Sequence, residues 1–92
     1  MEITFDPAKS ERNIVLRGLS FERAADFGWD EANFVEDIRN NYPERRFVAA
    51  GYLENRLHIL CFTETERGMR IISFRKANQR EARQYDKALT ID

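Results

Sequence analysis

The stretch Arg56-Leu-His-Ile-Leu-Cys-Phe-Thr63, the charged run Glu64-Thr-Glu-Arg-Gly68 and the stretch Met69-Arg-Ile-Ile-Ser-Phe-Arg75 decide the fold. Both outer segments are rich in Ile, Leu and Phe, which suit a pleated, half-buried surface, and the connection between them has hairpin length. They are expected to be antiparallel neighbours in one sheet. Upstream, Arg46–Gly51 predicts a further strand, Asn33–Ile38 is a weaker strand candidate, and Asn40-Asn-Tyr-Pro43 is the turn between them. Tyr52–Asn55 predicts the turn into the hairpin.

Outward from this sheet, Glu2-Ile-Thr-Phe5 alternates as a short first strand. Asp6-Pro7 then supplies an N-cap and a proline at the first helical position, predicting a helix to about Arg17 that stops at Gly18. Ser20 is placed to cap a second helix, Phe21–Phe27, with Phe21, Ala24 and Ala25 on its buried side, and Trp29 is expected to plug the core. Asn78 predicts the cap of a last helix with Ala82, Tyr85 and Leu89 on one side and the last three residues frayed. The sum is an α+β fold. Its antiparallel three- to four-stranded sheet is expected to carry two N-terminal helices and one C-terminal helix on one face.

The chain has 92 residues, of which 42% are hydrophobic and 34% charged, a composition that predicts one globular domain over 1–92 with a charged surface. No apolar run approaches the length that a bilayer requires, so a cytoplasmic protein without a membrane partner is expected. Cys61 is the single cysteine, which excludes an intrachain disulfide, and its apolar neighbours predict a buried core residue. The net charge of −1 hides an asymmetry: residues 1–43 carry 5 basic and 9 acidic side chains, residues 44–92 carry 10 and 7. A local basic face is therefore expected, not a general nucleic-acid coat.

Chemistry is suggested first by Arg67-Gly-Met-Arg-Ile-Ile-Ser-Phe-Arg-Lys76, which has four basic residues and no acidic one. Regular alternation would put Arg70, Ile72 and Phe74 on one face and Met69, Ile71, Ser73 and Arg75 on the other. Guanidinium groups at the strand ends could hold a phosphodiester through paired hydrogen bonds and stabilise the charge that builds up at phosphorus. Arginines on sheet margins also deter edge-to-edge aggregation. His58, the only histidine, alternates onto the face of Leu60 and Phe62, where it is either a satisfied core residue or a proton carrier for attack by a ribose 2′-hydroxyl. A second acid or base would have to come from Glu64, Glu81, Tyr85 or an arginine. Glu36 and Asp37, neighbours on a strand, face opposite sides and cannot jointly hold a metal. Zinc spacing, a phosphate-binding glycine loop and a Gly-x-Ser-x-Gly elbow are all missing from the sequence, so those enzyme classes drop out and no cofactor or metal is expected.

Phe5-Asp-Pro-Ala-Lys9, Asn13, Arg17-Gly-Leu19, Phe21, Arg46, Gly51 and Arg70-Ile-Ile-Ser-Phe-Arg-Lys-Ala77, with Arg80-Glu81 and Tyr85, resemble the BrnT family over nearly the whole chain. The resemblance implies a RelE-like fold. It also implies the toxin of a type II toxin–antitoxin system: an endoribonuclease that cleaves RNA without metal and halts translation. Neutralisation would come from a BrnA-like ribbon-helix-helix antitoxin in a heterotetramer, with DNA contacted only through that antitoxin. Carried over by position, Arg46, Arg70 and Arg75 are the expected catalytic cations, with His58 and Tyr85 assisting, and Lys76, Lys9, Arg17 and Ser73 are expected to hold RNA. Many relatives have Lys-His-Gly where this chain has Leu16-Arg17-Gly18, which removes catalysis through that histidine. Tryptophan often stands where this chain has Phe5. The alternative reading is a module that binds RNA, DNA or the antitoxin with the same cations and has no nuclease activity.

Overall fold

The computed structural model describes the backbone of residues 1–90 and the side chains through Lys87. The element order is β1 (Glu2–Phe5), α1 (Pro7–Arg17), two 3₁₀ helices (Phe21–Asp26 and Trp29–Glu31), β2 (Asn33–Glu36), β3 (Arg46–Leu53), β4 (Arg56–Glu64), β5 (Gly68–Lys76) and α2 (Gln79–Thr90). The expected position of Leu89 on the last helix and the expected fraying of the last three residues lie outside the described residues.

The local signals at the first helix act as the sequence predicts. Asp6 accepts from the Ala8 amide at 2.9 Å, Pro7 opens α1, and Gly18 closes it at φ 67°, its amide bonded to the Ile14 carbonyl at 2.8 Å. Ser20 caps the second segment, which is a 3₁₀ helix in place of an α-helix, and Asp26 is its last residue. Trp29 is half-buried against the core and donates its indole N–H to the Ala24 carbonyl at 2.9 Å.

The sheet departs from expectation. It has five strands in the order β1-β5-β4-β3-β2, and β1 runs parallel to β5 while every other pair is antiparallel. Alternation identifies Glu2–Phe5 as a strand but says nothing of its partner, which lies more than 60 residues away in the chain. Close approach at Gly68 permits the pairing: a Cβ there would stand 2.0 Å from the Glu2 carbonyl oxygen. β3 runs on to Leu53, so the turn into β4 contracts to Glu54-Asn55, both at positive φ (50° and 64°), as two-residue hairpin loops of the primed type require.

The helices occupy both faces of the sheet, not one. Leu53, Leu60, Phe62, Met69, Ile71 and Phe74 form the main core with Leu19, Phe21, Ala24 and Phe27 from the segment after α1. On the opposite face Leu57 and Ile59, which alternate with His58 and Leu60, pack with Ala77 and Tyr85 under α2. Cys61 points to this second face and is half-buried, a correction to its expected place in the core.

A β-bulge resets the alternation of β5. Cys61 is opposite Ser73 but Phe62 is opposite Ile71, so Ile72 is an extra residue. Met69, Ile71 and Phe74 thereby all enter the main core, while Arg70, Ser73 and Arg75 share the α2 face. The regular two-face assignment of this strand is thus overturned beyond Ile72: Phe74 joins Met69 and Ile71, and Ser73 and Arg75 join Arg70.

Candidate active site

β1 covers β5 only from Gly68 to Ile71, which leaves the outer edge of β5 from Ile72 to Lys76 without a strand partner. α1 lies along that edge. It attaches through polar groups, not an apolar stripe: its one buried residue is Ser10, whose hydroxyl accepts from the Phe21 amide at 3.0 Å. Asn13 donates to the carbonyls of Leu19 and Phe74, both at 2.9 Å. Lys9, Arg12, Asn13 and Leu16 follow helical spacing and turn one side of α1 toward Ile72–Arg75, and the depression between them has a volume of ≈ 250 Å³.

This depression shares Arg17 and Arg75 with a larger cleft of ≈ 680 Å³, whose lining also includes Arg23, Arg56, His58 and Lys76. The two form one basic groove around the end of β5. Arg23 is neutralised by Asp26 and Glu54 at 3.1 and 3.0 Å. Arg17, Arg56 and Lys76 have no ion pair among the described residues, so the groove keeps unspent positive charge.

His58 sits in the wall of the cleft, opposite Lys76 in the β4–β5 register, and is 5% exposed. Its Nδ1 lies 2.8 Å from the Arg56 carbonyl oxygen. Because a carbonyl only accepts, Nδ1 carries the hydrogen and the neutral ring keeps Nε2 as an acceptor. Burial lowers the His58 pKa, opposed by the Arg56 carbonyl and reinforced by the charges of Lys76, Arg56 and Arg23. Nε2 has no hydrogen-bond partner among the described residues and is not sealed from solvent. The ring is therefore a neutral base with its lone pair available to the cleft.

Arg75 is held. Its guanidinium forms two parallel bonds to Glu81, 2.8 and 2.9 Å, and Glu81 also completes a capping box with Asn78: its carboxylate accepts from the Asn78 amide at 2.9 Å and its own amide donates to the Asn78 Oδ1 at 2.8 Å. The Arg75 guanidinium, then the Asn78 amide, hold the Glu81 carboxyl down at about 2 against burial. The strand end and the helix start are thus one ionic unit.

The structure divides the sequence-derived site residues. Lys9, Arg17, His58, Ser73, Arg75 and Lys76 line the groove. Arg46 and Arg70 lie on the α2 face of the sheet, on β3 and β5, with Thr63 of β4 between them. Arg70 is five residues from Arg75 along β5, on the order of 15 Å at strand rise, so the expected convergence of three arginines on one linkage is not what the structure builds. Tyr85 is 3% exposed and its hydroxyl donates to the Glu31 carbonyl at 2.8 Å; burial raises its pKa. Arg12, Arg56 and Asn13 join the groove without having been singled out for function. The spacing of Lys9, Arg12 and Asn13 was the available signal for two of them, whereas nothing in the sequence brings Arg56 to Arg17.

Among the described residues no group of three or more His, Cys, Asp or Glu is placed to hold a metal ion, and no helix is long and apolar enough to cross a membrane. A cationic groove along an open strand edge, with a neutral imidazole in its wall, defines a domain suited to a polyanion. Residues 5–81 match the family model of the ribonuclease toxin, BrnT, of type II toxin-antitoxin system, which covers well over half of the chain, and the protein belongs to that family. No curated protein matches it. The family is one of RNA-directed toxins that act opposite an antitoxin.

Proposed function

We propose that the chain cleaves single-stranded RNA in the groove along the free edge of β5, without a metal ion. The observation that carries this reading is the neutral His58, its Nε2 unpartnered, in a cleft whose Arg17, Arg56 and Lys76 have no carboxylate partner. His58 Nε2 takes the proton of a ribose 2′-hydroxyl. The 2′-oxygen bonds to the adjacent phosphorus, the bond from phosphorus to the 5′-oxygen breaks, and Lys76 supplies the proton that the departing oxygen needs. The cations stabilise the dianionic five-coordinate phosphorane, and Lys9, Arg12 and Ser73 hold the strand on either side of it. The products are a 2′,3′-cyclic phosphate and a 5′-hydroxyl.

In the cell this activity halts translation, and a BrnA-like ribbon-helix-helix antitoxin neutralises it within a heterotetramer. Membership of a type II system supports a protein partner, and the groove is a target for acidic side chains that compete with RNA. The toxin acts in the cytoplasm, where its RNA is.

The Arg75–Glu81 pair favours a second reading, a module that binds RNA without cutting it, because it occupies the guanidinium expected at the reacting phosphate. One experiment separates the two. Purified protein is incubated with end-labelled RNA in excess chelator, beside His58→Gln. Cyclic-phosphate fragments that His58→Gln forms about 10²-fold more slowly support the first reading. Retention of intact RNA supports the second, and strict dependence on added divalent metal refutes the mechanism. Induced expression of wild type and Arg75→Ala, with growth recorded, tests toxicity.

A further inference from the structure

A second set of cations lies on the other face of the sheet. Arg46, Thr63 and Arg70 form one row across β3, β4 and β5, each directly opposite the next. Thr63 is 4% exposed, and its Oγ1 has no hydrogen-bond partner among the described residues. The same is true of the buried Arg46 Nε. Both groups are donors, and a guanidinium Nε–H can do nothing else. Buried donors are nearly always paired, so two orphans in one cross-strand pair ask for a shared acceptor.

The surroundings say what kind. Arg46 is fixed in place: its guanidinium lies 4.0 Å from the centre of the Tyr42 ring, and the Tyr42 hydroxyl donates to the buried Asp37 at 3.1 Å. Asp37 is itself clamped by Arg39 at 2.8 and 2.9 Å, so its charge is already matched. Arg70 is exposed and has no ion pair among the described residues. The row contains two cations, one hydroxyl and no carboxylate. An acceptor with several oxygens and negative charge would satisfy all three side chains together.

We propose that Arg46, Thr63 and Arg70 form a phosphate subsite. One oxygen of a tetrahedral oxyanion accepts from Thr63 Oγ1 and another from Arg46 Nε–H, while Arg70 swings over the anion from the solvent side. The natural occupant is a phosphodiester of the RNA strand after it leaves the groove and crosses the sheet on the α2 side. That choice of occupant rests on the RNA reading above; the oxyanion site itself does not.

Spectra that resolve the arginine Nε–H signals, recorded while inorganic phosphate is added, test the site. The Arg46 Nε–H and the Thr63 amide are expected to shift. Thr63→Val keeps the side-chain shape and removes the hydroxyl, and it should weaken the response of Arg46 roughly tenfold or more, since hydrogen bonds to charged groups are the strong ones. Without phosphate, Thr63→Val should melt at the same temperature or higher, because an orphan hydroxyl has gone; a lower melting temperature would mean that the hydroxyl already has a partner and would overturn the site. Arg70→Gln, at an exposed position, should weaken phosphate binding with no change in melting. Phosphate that moves only the signals of Arg17 and Lys76 also overturns it. A fully 2′-O-methylated RNA, which cannot be cut, tests the occupant: shifts of the same Arg46 signal support RNA, and their absence beside a phosphate response refutes RNA as the source. Loss of RNA cleavage in the nuclease assay leaves the phosphate result untouched.

Discussion

The side-chain amide of Asn13 donates to the main-chain carbonyl of Phe74 at 2.9 Å, joining α1 to the strand edge that β1 leaves uncovered. The same amide group donates to Leu19 at an equal distance. Asn13→Ala strands both carbonyls in a half-buried place and should cost about 2 kcal/mol. Urea unfolding checks this, with a lower midpoint and an unchanged slope expected. A change under about 0.5 kcal/mol would mean that water replaces both bonds and that α1 is held by something else.

Gly68 should accept no side chain. The Cβ of Gly68→Ala would lie 2.0 Å from the Glu2 carbonyl oxygen and 2.6 Å from its nitrogen, both backbone atoms that cannot rotate away. The variant is expected to lose about 3 kcal/mol, at the upper end of overpacking effects, and to release β1 from the sheet. Hydrogen exchange at Ile3 and Phe5 reads the release; retained protection there would contradict the parallel pairing.

Glu81 predicts an acid-sensitive step in stability. The Arg75 guanidinium holds its folded pKa at about 2, below the ordinary value of 4.5, so the unfolded state binds the proton more readily. The contribution is present in full above about 4.5 and is lost as the pH falls toward 2. With the pair partly exposed (38% for Arg75 and 23% for Glu81), about 1–2 kcal/mol is the expected size after solvent screening. Glu81→Gln should lose that amount at neutral pH and flatten the acid limb. Equal pH profiles for the two proteins would show that the ion pair adds nothing.

His58 predicts the opposite kind of check, a kinetic one. Burial lowers its pKa from 6.5, so the folded protein favours the neutral ring, and stability falls as the pH drops below the unfolded value. Cleavage that uses Nε2 as a base should rise along an acid limb below pH 6.5 and level off by neutrality. His58→Gln should remove the limb together with most of the rate. A profile that keeps its limb in the variant assigns the base elsewhere.

The local elements were legible because their causes are local. Asp6-Pro7 and Gly18 bound α1, and the Ile- and Leu-rich runs give β4 and β5 within a residue of their observed ends. Two features were not legible and a third only in part, each for a nonlocal reason. The parallel partner of β1 depends on a contact at Gly68 that has no sequence signature. The bulge at Ile72 reflects how β5 must turn Phe74 inward, which alternation alone assigns to the wrong side. At the site, the sequence grouped Arg46, Arg70 and Arg75 as catalytic cations with His58 and Tyr85 assisting and Lys76 as an RNA contact; His58, Arg75 and Lys76 line one groove, whereas Arg46 and Arg70 share a sheet face with Arg75 at a distance that composition cannot measure.

Ile72 also makes β5 a strand of two halves set out of phase. Deleting that one residue would leave a strict alternation in which Phe74 still faces the main core and Arg75 stays on the α2 face; keeping Ile72 and pulling the bulge straight is what would swing Phe74 outward and carry Arg75 away from Glu81. The kink at one surplus residue therefore lets a strand whose plain alternation is out of step still deliver its aromatic ring to the oily side and its guanidinium to the helix start.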